Sequence, residues 1–130
     1  MFKIATSVVM LLSLTLTVWS QGKDNNWLTG TWQGRGYQTD SSSTWSMWFK
    51  ASGDGYSIEY PSLECGGEWR LISIDSSKAK FKEKITYGKS RCLDNGLVII
   101  ERLNGRQAVF LYYPEDSDEA NASAILRKRP

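Results

Sequence analysis

Short stretches of alternating apolar and polar residues recur along the chain, a period that predicts β-strands with one buried face. The clearest stretch is 78–87, where Ala79, Phe81, Ile85 and Tyr87 alternate with four lysines. No helix of ordinary length fits between the stretches, so we predict an all-β domain. The eight predicted strands are 30–37, 44–50, 56–60, 69–74, 78–87, 97–103, 107–113 and 122–128.

The lengths of the connections predict the arrangement of the strands. Four are long, namely 38–43, 61–68, 88–96 and 114–120. Three are short, namely 52–55, 75–77 and 104–105. Eight strands joined by hairpins predict an up-and-down antiparallel barrel or a closely related sandwich. The long loops would then share one end, and because loops on rigid scaffolds often carry function, we expect this end to be the functional mouth.

The stretch Tyr56–Trp69 contains the signals that shape this end. Pro61 should stop its first strand, because proline has no N–H to donate to the sheet. Gly66-Gly67 is predicted to form a turn, since glycine tolerates backbone conformations that other residues avoid. Trp69 would then open the next strand.

The amino terminus has the pattern of a secretory signal peptide over residues 1–20. Lys3 precedes an apolar stretch, and Val18-Trp19-Ser20 suits a signal-peptidase site. A membrane anchor is the alternative, but the stretch is shorter than the ~20 apolar residues that a span needs. We therefore expect a single mature domain, 21–130, in a secreted or periplasmic protein.

The ionisable and sulfur-containing residues narrow the chemistry. Two cysteines in an exported chain predict a disulfide, Cys65–Cys92, with two free thiols as the alternative. The sequence has no histidine, which removes the usual general base and the commonest metal ligand. The formal net charge of +2 indicates no particular partner. We predict neither a metal nor a cofactor.

Two resemblances to known families are present. Gly30-Thr31-Trp32 resembles the G-x-W opening of lipocalin- and avidin-type barrels. That resemblance implies that Trp32 closes one end of a barrel, beneath a basic residue of the last strand, Arg127 or Lys128.

The second resemblance is longer and covers most of 30–128. Its residues are Tyr60-Pro61-Ser62-Leu63-x-Cys65-Gly66-Gly67, then Ala79-x-Phe81-x-Glu83-x-Ile85-Thr86-Tyr87-Gly88 and Cys92. This pattern is similar to a small exported bacterial domain, found in uncharacterised secreted proteins and in extracellular tails of bacterial Ser/Thr kinases. It implies a bacterial surface or periplasmic setting and a binding role. Small periplasmic β-barrel lysozyme inhibitors are a looser analogy, of size and compartment alone.

Glu83 is the least expected residue, because it lies on the apolar face of the fifth predicted strand. A buried carboxylate without a partner is costly. One interpretation is a structural ion pair with an arginine, the candidates being Arg70, Arg91 and Arg102. The other is a ligand-binding or proton-transfer carboxylate inside the barrel.

Other polar residues give weaker signals. Glu59, Glu64 and Glu68 lie near the long 61–68 loop, and a pair of them would suit a cell-wall glycoside hydrolase if suitably spaced. Ser62 has no evident base, which argues against a nucleophile. Four lysines between Lys78 and Lys84 form a basic stripe, interpreted as a solvated face rather than a nucleic-acid site.

Outward-facing residues suggest further contacts. Trp48 points away from the apolar face of its strand, where it would stack on a sugar or a protein partner. Mixed faces in the fourth, sixth and seventh strands suggest an oligomer interface or a sandwich. Asn121-Ala122-Ser123 is a glycosylation sequon, relevant in a eukaryotic secretory pathway.

We expect a non-catalytic binding protein acting through the loops at the Cys65/Cys92 end, in its sharpest form an inhibitor or immunity protein that plugs the cleft of a partner enzyme. A barrel that binds a small ligand or a carbohydrate is the first alternative, and a glycoside hydrolase is the second. The predicted partner is a protein of the envelope or the extracellular space. The predicted binding residues are Trp48, Tyr60, Ser62, Leu63, Glu64, Glu83 and Arg91.

Overall fold

A computed structural model describes residues 26–130, so the predicted signal peptide lies outside the described residues. Eight antiparallel strands pair in sequence order and close into a barrel. The strands are β1 (Gly30–Gln38), β2 (Ser43–Ser52), β3 (Gly55–Tyr60), β4 (Cys65–Ile74), β5 (Lys78–Tyr87), β6 (Leu97–Arg102), β7 (Gln107–Tyr113) and β8 (Ala122–Lys128). The predicted barrel is confirmed, and closure excludes the sandwich alternative.

Pairing between β1 and β8 closes the sheet, from Trp32 opposite Lys128 to Gln38 opposite Ala122. The short connections lie at the end of the barrel where β1 begins, and the connection predicted at 104–105 spans 103–106. The long connections lie at the opposite end, the mouth. Within 26–130, no helix is long and apolar enough to cross a membrane.

Aromatic side chains fill the middle of the barrel. The ring of Trp69 lies 4.4 Å from Phe49, 5.4 Å from Phe81 and 5.8 Å from Phe110, measured between centroids. All four side chains are buried, as their inward positions in the strand alternation predict. Contacts between aromatic rings add about 0.5–1.5 kcal/mol per pair beyond the burial of their surface.

The end opposite the mouth is sealed by tryptophans. A 3₁₀ turn over Asn26–Leu28 buries Trp27, whose indole N–H donates to the carbonyl oxygen of Asp75 at 2.8 Å. Trp32 is fully buried and donates to the carbonyl oxygen of Leu28 at 2.8 Å. The ammonium of Lys128 lies 5.6 Å from the ring centroid of Trp32, within the range of a cation–π contact.

The prediction that Gly66-Gly67 forms a turn is wrong. Both glycines lie inside β4, which begins at Cys65, and the chain turns earlier, through a 3₁₀ turn at Pro61–Leu63 followed by Glu64 at φ +55°. The register between β4 and β5 shifts between the two glycines. There the strands approach so closely that a Cβ on Gly67 would overlap the carbonyl oxygen of Lys84.

Candidate functional site

Glu83 forms the floor of the mouth. It lies on the inward face of β5, and 2% of its surface is exposed. Because β6 begins only at Leu97, Glu83 pairs instead with the loop before it: its N–H donates to the carbonyl oxygen of Gly96 at 2.9 Å, and its carbonyl oxygen accepts the N–H of Asn95 at 3.1 Å. The side chain therefore lies above the aromatic core, where the barrel opens.

Two neutral groups hold the carboxyl group of Glu83. The hydroxyl of Tyr60 donates to Oε2 at 2.5 Å, and the indole N–H of Trp69 donates to the same oxygen at 2.8 Å. The predicted ion pair with an arginine is therefore wrong. Each candidate arginine has another contact: Arg70 with Glu68, Arg91 with Glu64 and Arg102 with the ring of Trp27.

Burial has the largest effect on the pKa of the Glu83 carboxyl group. Desolvation raises the pKa of Glu83 above its ordinary value, although the two hydrogen bonds act in the opposite direction, and the negative charge of Asp94 raises the pKa further. Burial and the nearby charge of Glu83 together raise the pKa of Tyr60 well above its ordinary value. Tyr60 is therefore a hydrogen-bond donor throughout the physiological range of pH.

The raised pKa of Glu83 predicts a stability that falls as pH rises. The folded state holds the Glu83 proton more tightly than the unfolded chain, so stability is lost between the unfolded pKa, about 4.3, and the higher folded pKa, and then levels off. We expect Glu83→Gln to remove this pH-dependent part of the free energy of unfolding. Urea denaturation at a series of pH values between about pH 4 and about pH 8 measures it. The exposed carboxyl of Glu119 is the control: Glu119→Gln should keep the wild-type slope, and an identical slope in Glu83→Gln would contradict the assignment.

A cavity of about 120 Å³ opens above Glu83 at the mouth. Three buried polar side-chain atoms have no hydrogen bond of good geometry within 26–130: Nε1 of Trp45, Oδ1 of Asn121 and the hydroxyl of Tyr112, which has the backbone N–H of Gly96 nearby. All three residues line this cavity. Buried polar groups in folded proteins almost always have a partner, so this cavity has the composition of a site for water or a small polar ligand.

Two glycines create the space for the aromatic walls. A Cβ on Gly36 would overlap the ring of Trp45, and a Cβ on Gly96 would overlap the ring of Tyr112. The space left by Gly36 on β1 is therefore filled by the ring of Trp45, its neighbour on β2. Burial also raises the pKa of the Tyr112 hydroxyl, and the negative charge of Glu83 contributes in the same direction.

The Cys65–Cys92 disulfide is present and braces the rim of the cavity. It joins the start of β4 to the 88–96 loop across a Cα–Cα distance of 6.4 Å. The 3₁₀ turn is held by reciprocal bonds: the N–H of Ser46 donates to Oγ of Ser62 at 2.9 Å, and the N–H of Ser62 donates to Oγ of Ser46 at 3.2 Å. The rim is thus tied both covalently and to β2.

Asp94 positions the far side of the rim. Its Oδ1 accepts the backbone N–H groups of Ile85 and Asn95, each at 2.9 Å. The bond from Ile85 is the main reason that the pKa of Asp94 is lowered. Asp94 therefore supplies a hydrogen-bond acceptor for the backbone of β5 at a position where β6 has not yet begun. The same side chain holds the loop that contains Cys92.

The structure brings together most of the predicted binding residues. Tyr60, Leu63, Glu83 and Arg91 line the cavity. The other two predicted loop residues lie at the rim of the cavity. Ser62 is hydrogen-bonded to Ser46, and Glu64 forms an ion pair with Arg91.

Trp48 does not belong to this site. Its side chain is 42% exposed on the outside of the barrel, with the guanidinium of Arg129 lying 5.1 Å from its ring centroid. Outward residues of a strand face away from the barrel interior, so Trp48 cannot reach a ligand in the mouth.

The acidic residues near the 61–68 loop do not face one another across the mouth cavity. Glu59 and Glu68 are exposed on the outer faces of β3 and β4, and Glu64 contacts Arg91. Among the described residues that line the mouth cavity, Glu83 is the one carboxyl group. The two facing carboxyl groups that glycoside hydrolysis uses are thus not brought together there.

The cavity residues that the sequence did not predict include Trp45, Phe110, Tyr112 and Asn121. Alternation in β2 and β7 indicates that the three aromatic residues point inward, but it does not distinguish the mouth from the filled middle of the barrel. The distinguishing signal is glycine, since Gly36 and Gly96 each leave room for one of these rings.

Residues 26–130 contain no group of three or more Cys, Asp or Glu side chains placed to hold a metal ion. No protein-family model, curated protein or solved structure matches this chain. The two resemblances described above stay predictions.

Proposed function

We propose that this protein is a non-catalytic binding protein that takes a small polar ligand into the cavity at its mouth. One observation carries the proposal: three residues that each have a buried polar atom without a good hydrogen bond line the same cavity, above a buried carboxyl group. Hydrogen-bonding groups fixed in a mostly apolar cleft are the usual composition of a small-molecule site.

The filled barrel limits the size and the character of the ligand. Phe49, Phe81 and Trp69 occupy the interior below Glu83, and Trp32 seals the opposite end, so a long lipid chain has no room. A cavity of about 120 Å³ suits a molecule of a few heavy atoms, or the terminal group of a larger one.

The chemistry of the lining favours binding over catalysis. Acid–base catalysis usually requires a positioned proton acceptor near a reacting group, and Glu83 is engaged by Tyr60 and Trp69. Oγ of Ser62 accepts a backbone N–H from Ser46, and no side chain of residues 26–130 that could act as a base is hydrogen-bonded to it. These groups can orient a ligand without transferring its atoms.

A protein partner is the second candidate, because the rim is both exposed and rigid. Pro61, Ser62 and Glu64 are exposed on a turn that the disulfide and the Ser46 bonds hold in place. Such a turn suits insertion into the cleft of an enzyme, as an inhibitor or immunity protein would require. In a pull-down, the wild type would recover a protein partner that the double variant Ser62→Ala, Glu64→Ala does not recover. If the double variant still binds the small ligand, that result would favour this candidate.

The proposal predicts that filling the cavity abolishes ligand binding. Gly96→Ala should push the ring of Tyr112 into the cavity, whereas a Cβ on Gly105 meets open space, so Gly105→Ala is the matched control. Ligand-detected NMR with a panel of small amines, carboxylates, polyols and sugars should find one class that binds the wild type and Gly105→Ala.

That class should lose its binding in Gly96→Ala, and a cooperative thermal transition would show that the variant is folded. If no class binds the wild type, or if Gly96→Ala binds as well as the wild type, the proposal is wrong.

A further inference from the structure

The charge of the cavity indicates which class of ligand it takes. Resting on the function proposed above, we infer that the mouth cavity selects a small molecule bearing a primary ammonium group, with Glu83 as its counter-ion. The inference depends on three features: a carboxyl group without a cation, aromatic walls, and unpaired acceptors at the same place.

The carboxyl group of Glu83 is isolated from positive charge. It is 2% exposed, both of its hydrogen bonds come from neutral donors, and both end on Oε2. Within 26–130, Arg70, Arg91 and Lys78 form ion pairs with other carboxyl groups, those of Glu68, Glu64 and Glu101. A buried carboxylate is stable only when a cation or a full set of donors compensates for its lost hydration, and a cationic ligand would supply that charge.

The neighbouring charge has the same sign. Asp94 lies near enough to raise the pKa of Glu83, although Lys84 and Lys89 lie near enough to Asp94 to help lower its own pKa. Arg91 lines the rim, but Glu64 contacts its guanidinium. An anionic ligand would therefore meet the negative charge of Glu83 without a cation bonded to it, whereas a cationic ligand would be attracted.

Aromatic rings surround the same space. The ring centroid of Trp45 is 5.2 Å from Tyr60 and 5.9 Å from Phe110, and both pairs pack edge to face. Aromatic walls around a carboxylate are a known arrangement for holding ammonium groups, through the attraction between a cation and the face of a ring.

The polar atoms of the cavity residues complement a ligand that has an ammonium group and, close to it, one hydrogen-bond acceptor. A primary ammonium has three N–H donors, and three of the residues that line the cavity carry acceptor atoms: Glu83 through its carboxyl group, Tyr112 through its hydroxyl and Asn121 through Oδ1. The indole N–H of Trp45 is then left without an acceptor. A hydroxyl or carboxylate close to the amine would accept it, so an amino alcohol or an amino acid fits best.

Three probes of nearly equal size test the inference: ethanolamine, ethylene glycol and glycolate. They share a hydroxyl and differ in carrying a positive charge, no charge or a negative charge. Dissociation constants from protein NMR titrations should rank ethanolamine tightest in the wild type. Glu83→Gln keeps the shape of the side chain and removes its charge, so it should weaken ethanolamine at least about tenfold and weaken the uncharged ethylene glycol by much less.

Glu119→Gln, which removes an exposed charge from the 114–121 loop, should bind ethanolamine like the wild type. Equal affinity for ethanolamine in the wild type and Glu83→Gln would overturn the inference, as would the absence of ethanolamine binding. Saturable binding of ethylene glycol or glycolate in the cavity, without ethanolamine, would overturn the ligand class and leave the proposed binding function standing.

Discussion

Replacing Cys65 and Cys92 together by serine is expected to lower the free energy of unfolding by about 3–4 kcal/mol. The bridge closes a loop with a sequence separation of 27 residues, and without it the unfolded chain gains conformational entropy. The loss should appear as a lower urea midpoint in equilibrium denaturation.

Reduction offers a control that leaves the sequence unchanged. The reduced wild type should unfold at the midpoint of the double variant, and adding reductant to the variant should change nothing. Amide hydrogen exchange should accelerate most in the 88–96 loop, which the bridge ties to β4. Equal stability of the oxidised and reduced wild type would contradict a structural role for the bridge.

Trp32→Ala is expected to cost about 3–5 kcal/mol of folding free energy, the usual range for removing a large buried aromatic side chain. Trp32 is fully buried, its indole N–H is bonded to the carbonyl oxygen of Leu28, and Lys128 covers its ring. The substitution would leave an unfilled space and an unpaired carbonyl oxygen at the sealed end.

Trp48→Ala is the matched control, because it makes the same chemical change on the outer surface, where Trp48 is 42% exposed. Its cost should be within about 1 kcal/mol. Comparable losses for the two variants, measured by chemical denaturation, would contradict the view that Trp32 seals the barrel.

Much of the fold follows from local patterns. Alternation identifies the inward residues of β5 as far as Ile85, but it is wrong for Tyr87, which is 49% exposed. The grouping of long and short connections predicts an antiparallel meander. Pro61 ends β3 as predicted, because the restriction acts on its own backbone. The disulfide follows from the number of cysteines and from their shared position at one end.

Features that depend on contacts between two or more strands cannot be predicted from local sequence patterns. The partners of Glu83 come from β3 and β4, and matching opposite charges favoured an arginine over the neutral donors Tyr60 and Trp69. Gly66-Gly67 has the composition of a turn, but it lies within β4 and allows the backbone of β4 to approach β5 closely. The cavity depends on the register that places Gly36 opposite Trp45.

The central claim, that the mouth cavity is the binding site, is tested most directly by the indole N–H signals of the tryptophans in a ¹⁵N-correlated NMR titration. Trp45 lines the cavity and Trp69 is bonded to Glu83, whereas Trp32 lies at the sealed end and Trp48 on the outer surface. A saturating ligand such as ethanolamine should shift the signals of Trp45 and Trp69 and leave those of Trp32 and Trp48 in place. Saturable binding that moves Trp48 while Trp45 and Trp69 stay fixed would contradict the account.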